Sequence, residues 1–315
     1  MGTPEFAVES LRRLVEEQYN VVGVVTMPDK PVGRHQSTLQ QSAVKQYARA
    51  KGLPVLQPVR LKDEAFLAQL RALRADLQIV VAFRMLPQAV WAMPPLGTFN
   101  LHASLLPQYR GAAPINWAII NGETETGLTT FFLKQEIDTG AVIRQVKTPI
   151  ADTDTAATLH DKLMRLGANL VIETVELIRN GDVQAISQEQ LATNGLILHP
   201  APKIFKDTCR IDWKNKSVKE LYDFVRGLSP SPAARTLMQT ADGKNLPLKV
   251  FVTSKELCKH NLMLGTVCTD GRTFLKVAAK DGFLHLDEIQ AEGKKRLPVA
   301  SFLCGFRNAD GAVMC

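Results

Sequence analysis

Three side chains that could carry out acyl-group chemistry lie in the middle of this 315-residue sequence. Asn100 and His102 are two positions apart at the end of a short apolar run, and Asp138 lies in the turn-like segment 136–140. A carboxamide can stabilise an oxyanion, an imidazole can accept a proton, and a carboxylate can orient and charge-match the imidazole. These residue types together predict transfer of an acyl-type group.

Each of the three residues also has an ordinary structural interpretation. A histidine at a strand end is most often a hydrogen-bonded structural residue, Asn100 could cap a turn, and an aspartate before Thr-Gly is common in turns. Spacing alone therefore leaves the catalytic and the structural interpretation open.

The elements that must position these residues alternate between strand and helix patterns over the first two-thirds of the chain. Short apolar runs predict strands at 21–26, 55–57, 77–83, 99–102, 129–133 and 142–146. Helical periodicity predicts helices at 44–51, 63–72, 113–121 and 155–180, and Thr3 before Pro4 predicts an earlier helix start. The alternation is typical of an α/β fold in which helices cover both faces of a parallel sheet. Ligands bind at the carboxyl ends of such strands, where Asn100 and His102 are expected to point to the same side.

The pattern changes near residue 185. Residues 185–205 are polar and include two prolines, which predicts a linker. A helix at 218–227 then precedes predicted strands at 248–253, 265–268, 274–278 and 283–289, with Asp-Gly turns between or before them. Short strands joined by such turns predict a small β-barrel. The sequence therefore predicts a domain at 1–184, a linker at 185–205 and a barrel domain at 206–315.

The positive charge is confined to the last third of the chain. The net charge is +7, yet residues 1–200 contain 19 basic and 19 acidic side chains, while residues 201–315 contain 19 basic and 12 acidic ones. A basic domain beside a neutral one predicts either a polyanionic partner or a solvated lysine-rich face. Charge alone does not decide between them.

Composition excludes several classes of protein. The chain is 45% hydrophobic and 22% charged, as in globular proteins. No apolar run approaches the roughly 20 residues of a membrane span, and the N-terminus lacks a signal pattern. The five cysteines show no ligand spacing, so we expect a reduced cytoplasm, no disulfide framework and no metal site.

Several motifs connect the chain to a known family. The segment 100–107, NLHASLLP, is followed by YRGAAP at 109–114 and by Asp-Thr-Gly at 138–140. This combination resembles the signature of formyltransferases that use 10-formyltetrahydrofolate. The opening MGTPEFAVESL, the run at 24–34 and the stretches at 228–230 and 293–296 resemble, more narrowly, the methionyl-tRNA formyltransferase family. The resemblance covers nearly the whole chain.

The resemblance implies a fold and a reaction. It implies a Rossmann-like N-terminal domain that binds the folate and transfers its formyl group to the α-amine of methionyl initiator tRNA. It also implies a C-terminal barrel resembling an OB fold that helps to hold the tRNA. The expected product is formylmethionyl-tRNA for translation initiation, made by a cytoplasmic monomer without metal or membrane contact.

The resemblance also assigns residues. Asn100, His102 and Asp138 become the catalytic trio. The folate-contacting loop comprises Ser104, Leu105, Leu106 and Pro107. Arg34, in a long polar loop, becomes a tRNA contact. Lys294, Lys295 and Arg296, the densest basic cluster on the predicted barrel, are predicted to contact the tRNA as well.

The chain departs from the family pattern in four places. The family has a β-strand immediately before its Met-Gly-Thr-Pro, so we expect an upstream start and, without that strand, two exposed strand edges. His35-Gln36-Ser37 follows Arg34 where Gly-Lys-Lys is common, which reduces positive charge. Phe83-Arg84 replaces a Tyr-Gly pair near the expected folate pocket. Arg235 occupies a position where tryptophan is frequent.

Three other functions remain open at the level of sequence. A formyltransferase with a small acceptor would share the trio but would have no need of a basic barrel. A hydrolase would release formate by using water in place of the amine. A non-catalytic RNA-binding protein would have no need of an intact trio.

Overall fold

The chain folds into two compact units. The computed structural model describes residues 1–32, 38–192, 197–240, 242–306 and 309–315. The first unit comprises Met1–Gly111, Glu125–Pro149 and His160–Pro200, and the second comprises Ala112–Thr124, Ile150–Leu159 and Ala201–Cys315. Residues 112–124 and 150–159, which the sequence pattern places in the first domain, thus group with the second unit. The boundaries at 184 and 206 stay a prediction.

Helices and strands occupy the following ranges. The helices are α1 (Phe6–Glu16), α2 (Ala43–Ala50), α3 (Glu64–Ala72), α4 (Gln88–Trp91), α5 (Pro114–Ile120), α6 (Ala156–Asn180), α7 (Gln188–Leu191), α8 (Val218–Leu228) and α9 (Val299–Gly305). The strands are β1 (Val24–Val25), β2 (Lys30–Val32), β3 (Thr38–Gln40), β4 (Val55–Leu56), β5 (Gln78–Val81), β6 (Thr98–His102), β7 (Glu125–Phe132), β8 (Val142–Pro149), β9 (Ala234–Gln239), β10 (Asn245–Leu257), β11 (Val267–Thr269), β12 (Leu275–Ala279), β13 (Gly282–Ala291), β14 (Leu297–Pro298) and β15 (Val313–Met314).

The first unit contains the sheet that carries the predicted catalytic residues. Its strands run in the order β5-β6-β7-β8, and β1 pairs separately with β4. The β5–β6 and β1–β4 pairs are parallel, whereas β7 joins β6 and β8 in antiparallel ladders. Strand β6 is therefore hydrogen-bonded on both sides, so its backbone is fixed by two neighbours.

Apolar burial explains why this part of the chain folds as it does. Val25 and Val80, from β1 and β5, share one core cluster with Phe66 and Leu70 of α3 and with Val90 of α4. Phe66 and Leu70 are four positions apart, so they lie on the same face of their helix. The run of apolar residues in β5 corresponds to a strand with little exposed surface.

Side-chain caps begin several of the helices, but not the first. Ser42 Oγ accepts a hydrogen bond from Lys45 N at 3.1 Å, and Asp63 Oδ1 accepts one from Ala65 N at 2.9 Å. The prediction that Thr3 caps α1 is wrong. A turn at Pro4–Glu5 precedes the helix, which begins at Phe6, and the buried Thr3 hydroxyl has no hydrogen-bond partner among the described residues.

The N-terminal residues join the two parallel strand pairs. Gly2 N donates to Val25 O at 3.0 Å, Val81 N donates to Met1 O at 2.9 Å, and Gly2 forms a parallel bridge with Val81. A cavity of about 440 Å³ lies beside these residues. Its lining includes residues of β1 and β5, among them Val24 and Ile79. The sheet edges expected from the sequence are therefore connected at one bridge and separated by an apolar cavity.

The second unit contains a nearly closed antiparallel barrel. Its strands run in the order β11-β12-β13-β10-β9-β15, with β14 paired to β13. An antiparallel bridge between Thr266 and Val313 connects the two ends of this order. Helix α8 packs its apolar face into the barrel core, which includes Trp213 and Leu221. The predicted fold class, an α/β Rossmann-like unit with a C-terminal barrel, is confirmed.

Several local details differ from the pattern read from the sequence, including the short helices α4 and α9. The polar segment 27–42 contains the hairpin β2–β3, the predicted linker contains α7, and strand β9 was not predicted. Each of these elements is short or lies beside prolines, where hydrophobic periodicity gives little signal.

Candidate active site

Strand β6 places Asn100 and His102 on one side of the sheet. Asn100 lies opposite Val80 of β5 and Phe131 of β7, and His102 lies opposite Thr129. Alternation along a strand directs residues two apart to the same face, with their Cα atoms roughly 6.5 Å apart. The side chain of His102 is 7% exposed, whereas Asn100 is half-buried.

The imidazole of His102 is held by a hydrogen bond at one of its two ring nitrogens. Nε2 lies 2.9 Å from the backbone oxygen of Tyr109, which can only accept, so Nε2 carries a hydrogen and donates it. Nδ1 lies 4.0 Å from Asp138 Oδ2. The ring edge also packs against Phe131. The nitrogen left for proton exchange is therefore Nδ1, on the side of the carboxylate.

Asp138 occupies a strained turn between β7 and β8. Its φ is +53°, in the left-handed region that few non-glycine residues adopt. Its Oδ2 accepts a hydrogen bond from Gly111 N at 3.2 Å, and its side chain is only 14% exposed. The turn thus places one buried carboxylate oxygen between the backbone of residue 111 and the His102 ring.

The carboxamide of Asn100 is not engaged by any residue that the structure describes. No hydrogen bond to its side chain is found among the described residues, although the strand around it is fully paired. An amide that offers two N–H donors beside an imidazole and a carboxylate can bind an oxygen that gains negative charge.

Hydroxyl and amide groups form hydrogen bonds with the predicted folate loop. Ser104 Oγ donates to Gln108 O at 2.6 Å, and Thr129 Oγ1 donates to Ser104 O at 2.7 Å. Gln145 Nε2 donates to Leu106 O at 2.8 Å. Ser104, Leu106 and Pro107 are buried, so Leu105 is the one residue of these four that is partly exposed. Folate contact by these four residues stays a prediction.

A buried glutamine connects the site to a part of the chain that the sequence pattern assigns to the linker. Gln188 Nε2 donates to the backbone oxygens of Asp138 and Gly140, both at 2.9 Å. Its Oε1 accepts from Nε and Nη2 of Arg110 at 2.9 and 2.7 Å. No motif or periodicity marks Gln188, which is 50 residues from Asp138, so the sequence offered no signal for it.

Arg84, a departure from the family pattern, is tied to a neighbouring loop. Its guanidinium donates to the backbone oxygens of Pro58 and Val59, and it lies over the ring of Phe83. Burial lowers the pKa of Arg84 below its ordinary value. The side chain therefore links segments 58–59 and 83–84.

The predicted tRNA contact Arg34 lies outside the described residues, as does His35. The start of this polar segment is anchored by Asp29, whose carboxylate accepts from Lys45 Nζ and from Gln57 Nε2 at 2.8 Å. The Lys45 ammonium, followed by the Gln57 hydrogen bond, lowers the pKa of Asp29.

The three predicted basic residues of the barrel differ in their surroundings. Lys294 and Lys295 are exposed and have no ion-pair partner within the described ranges. Arg296 Nε donates to Glu288 Oε2 at 2.6 Å, and its guanidinium lies over the Phe251 ring. The charge of Arg296 is thus largely compensated.

A groove with unpaired cations lies elsewhere on the second unit. It has a volume of about 690 Å³ and is lined by apolar residues, by two acidic residues and by four basic residues: Lys206, Arg210, Arg235 and Lys249. In the part of the chain that the structure describes, none of these four forms an ion pair, and Arg235 Nε is buried without a hydrogen-bond partner. The groove therefore favours an anionic ligand.

Neither a metal centre nor a membrane span is found in the described part of the chain. Among the residues described, no group of three or more His, Cys, Asp and Glu side chains could hold a metal ion. Over the same ranges, no helix combines the length and hydropathy of a transmembrane span.

Comparison with known proteins gives consistent matches to both units. The family model described as formyl transferase matches residues 1–175, and the one described as formyl transferase, C-terminal domain, matches residues 203–307. The chain is 66% identical to the methionyl-tRNA formyltransferase of Parabacteroides distasonis, covering 98% of this chain and 94% of that protein. It is 62% identical to the protein of the same name from Bacteroides thetaiotaomicron, covering 100% and 97%.

Solved structures share the fold at low identity. HypX from Aquifex aeolicus in complex with tetrahydrofolic acid matches with a TM-score of 0.59 at 20% identity, covering 91% of this chain and 48% of that one. The N-formyltransferase from Helicobacter canadensis, in complex with folinic acid and dTDP-3-aminofucose, matches with a TM-score of 0.60 at 20% identity, covering 94% and 97%. Such similarity shows the fold alone.

Proposed function

The chain belongs to the formyl transferase family and, within it, to the methionyl-tRNA formyltransferases, and we propose that Asn100, His102 and Asp138 carry out its reaction. The reaction transfers a formyl group to the α-amine of methionyl-tRNA, giving formylmethionyl-tRNA for translation initiation. The observation that carries the assignment is the placement of His102 Nδ1 opposite the Asp138 carboxylate, on the same face as the unengaged Asn100 carboxamide.

When bound, 10-formyltetrahydrofolate supplies the formyl group. The residues present suit such a donor, because the N–H groups of Asn100 have no acceptor among the described residues and can bind an acyl oxygen. HypX, which shares the fold, was solved in complex with tetrahydrofolic acid, and this supports a folate-derived formyl donor.

Asn100 acts on the oxygen of the group being transferred. Its N–H groups donate to this oxygen as negative charge develops there during attack by the amine. Because β6 is paired on both sides, the backbone that carries the carboxamide is fixed before the reaction. A donor of this kind typically contributes about 3 kcal/mol to the transition state.

His102 transfers the proton, and Asp138 provides the negative charge opposite the ring. The methionyl amine must be neutral to attack, and it loses a proton as the new C–N bond forms. Nδ1 of His102 can accept this proton and return it to the departing nitrogen. The Asp138 carboxylate, 4.0 Å from Nδ1, faces the positive charge that develops on the ring during this transfer.

The groove on the second unit provides a surface for tRNA. Its four cations have no ion-pair partners among the described residues, so they are available to backbone phosphates. Binding of this type is independent of sequence and falls steeply with salt. We assign the initiator tRNA mainly to this groove and to Lys294 and Lys295, with Arg34 as the predicted contact of the first unit.

The remaining assignments complete the proposal. Residues 1–184 form the catalytic domain and 206–315 the tRNA-binding domain, joined by residues 185–205. The enzyme acts in the cytoplasm as a monomer. A small-acceptor formyltransferase shares the trio but does not account for the unpaired cations of the groove.

The decisive experiment is incubation with 10-formyltetrahydrofolate and charged initiator tRNA. We expect formylmethionyl-tRNA to accumulate, with no formate in the absence of the acceptor. Formylation of a small amine but not of methionyl-tRNA would reject the proposal, and release of formate without any acceptor would indicate a hydrolase.

A further inference from the structure

All hydrogen-bonding groups of one buried side chain in the first unit are directed at the two loops that frame the proposed site. Gln188 is 1% exposed. Both hydrogens of its amide nitrogen are donated to the turn that carries Asp138, and its oxygen accepts twice from Arg110. A primary amide has two donors and two acceptor sites, so the group is fully satisfied.

The position of Gln188 is itself fixed by local structure. The preceding residue, Ser187, caps α7 by accepting from Gln190 N, and Ile186 exchanges two backbone hydrogen bonds with Val142 at 2.8 and 2.9 Å. Val142 begins β8, the strand that follows the Asp138 turn. The chain around residues 186–188 is therefore attached to the same sheet as the site.

The turn at Asp138 needs such an anchor. Asp138 has a φ of +53°, which costs an aspartate free energy. Two residues later, a Cβ at Gly140 would fall 1.6 Å from Phe132 O, so this backbone lies directly against the neighbouring strand. The Asp138 and Gly140 oxygens, which the turn leaves without ladder partners, are both bound by the Gln188 amide.

The contact with Arg110 connects Gln188 to the segment that orients His102. Arg110 lies between Tyr109, whose oxygen accepts from His102, and Gly111, whose N–H donates to Asp138. One glutamine thus connects the segment that orients the imidazole with the turn that orients the carboxylate.

We propose that Gln188 is a positioning residue for formyl transfer, acting through Asp138 by fixing the turn at 138–140 relative to the segment at 109–111. The inference rests on the proposed function of the trio. It predicts loss of turnover without loss of substrate binding, because Gln188 is buried beneath the loops and the methionyl-tRNA and folate surfaces do not include it.

The main test compares Gln188→Glu with the unmutated chain. The glutamate keeps the shape and the acceptors for Arg110, but it removes both donors and places an oxygen opposite two carbonyl oxygens. Because a misplacement of about 1 Å can cost roughly 100-fold in rate, we expect kcat to fall about 10- to 100-fold while KM for methionyl-tRNA and for the folate changes less than about threefold. The matched control is Gln190→Leu on the exposed face of the same helix, for which we expect no change.

A double-mutant cycle separates positioning from general destabilisation. If Gln188 acts through Asp138, Gln188→Glu should cost less than about threefold in kcat when Asp138 is already asparagine. Equal losses in both backgrounds would show that Gln188 acts elsewhere and would overturn the inference. An unchanged kcat in Gln188→Glu would overturn it as well.

A second variant keeps the inference testable if Gln188→Glu does not fold. Arg110→Met leaves the two donations to the turn but removes the charge that orients the amide, so we expect a smaller loss, about three- to tenfold, again in kcat and not in KM. A change in KM alone would contradict the inference. If the unmutated chain itself formylates no methionyl-tRNA, the proposed function fails, which is a distinct outcome from an active enzyme indifferent to residue 188.

Discussion

Nδ1 of His102 lies 4.0 Å from Oδ2 of Asp138, while the other ring nitrogen is bound to the Tyr109 backbone oxygen at 2.9 Å. The separation is longer than a direct hydrogen bond, so the carboxylate acts on the ring by charge and leaves Nδ1 open to a substrate or a bridging water. The pair therefore divides its tasks: Tyr109 fixes the orientation of the ring, and Asp138 supplies the negative charge.

Replacement of Asp138 by asparagine tests the charge separately from the shape. Asparagine tolerates a positive φ and can still accept from Gly111 N, so the turn should fold as before. We expect single-turnover formylation to slow by about 100-fold or more, the range of general acid–base effects, with KM for methionyl-tRNA nearly unchanged.

The control for this variant is its thermal unfolding midpoint, which we expect to match that of the unmutated chain. A formylation rate within about threefold of the original would show that the Asp138 charge is not used, since such effects in acid–base catalysis are typically at least 100-fold.

Truncation of Asn100 to alanine should abolish most activity at little cost in stability. Its carboxamide has no hydrogen-bond partner among the described residues, so removing it leaves no protein group unsatisfied. Loss of an oxyanion donor typically costs about 100- to 1,000-fold in kcat. Single-turnover rates at saturating folate and tRNA, measured beside the free energy of unfolding, would test both parts.

Asn100→Asp serves as the companion variant. It keeps the size of the side chain but replaces the donors with a negative charge, so its rate should be at or below that of Asn100→Ala. An active Asn100→Asp enzyme would contradict the role of the carboxamide as a donor.

The helix cap at Ser217 and Glu220 gives a stability prediction for the second unit. Lys216, then the Ser217 backbone N–H, lowers the pKa of Glu220 from 4.5 to about 2. The folded state therefore binds this proton less tightly than the unfolded state, so the contribution is fully present above pH 4.5 and is lost as pH falls toward 2. The difference in urea midpoint between Glu220→Gln and the unmutated chain should be larger at pH 7 than at pH 2.5. A difference that does not vary with pH would contradict this assignment.

Alanine at position 217 removes the serine side of the same cap. Ser217 Oγ accepts from Glu220 N and the Glu220 carboxylate accepts from Ser217 N, a reciprocal capping box. Ser217→Ala should lower the free energy of unfolding by about 1 kcal/mol, measured by urea unfolding at pH 7.

Much of the fold and part of the site could be predicted from local sequence. Alternation along an apolar run was sufficient to place Asn100 and His102 on one side of β6, and the Asp-Gly turns indicated the barrel. Gln188 could not be found in this way, because its role depends on contacts with Arg110 and Asp138, far away in sequence.

The basic residues of the barrel that are available to a ligand also could not be identified from local sequence. The run at 294–296 is the densest basic cluster in the sequence, yet the β13–β14 pairing brings Arg296 beside Glu288 and compensates its charge. Arg210 and Arg235 are 25 positions apart in sequence, and a parallel bridge between their backbones places them at one groove. Local density of basic residues therefore does not identify the cations that are available to a ligand.

The groove can be tested by charge removal. Arg210→Gln and Lys249→Gln each delete a cation without an ion-pair partner in the described part of the chain, and both side chains reach solvent. Removing one cation that binds a phosphate should reduce the slope of log affinity against log salt by about 0.7 to 0.9. We expect the double variant to bind initiator tRNA more weakly at low salt and to show a shallower slope, measured by filter binding between about 50 and 200 mM salt.

The matched control is Arg296→Gln, which removes a cation already compensated by Glu288 and should change affinity and slope much less. The reverse ranking, with Arg296→Gln weakening binding more than the groove double variant, would place the tRNA on the 294–296 turn and reject the groove.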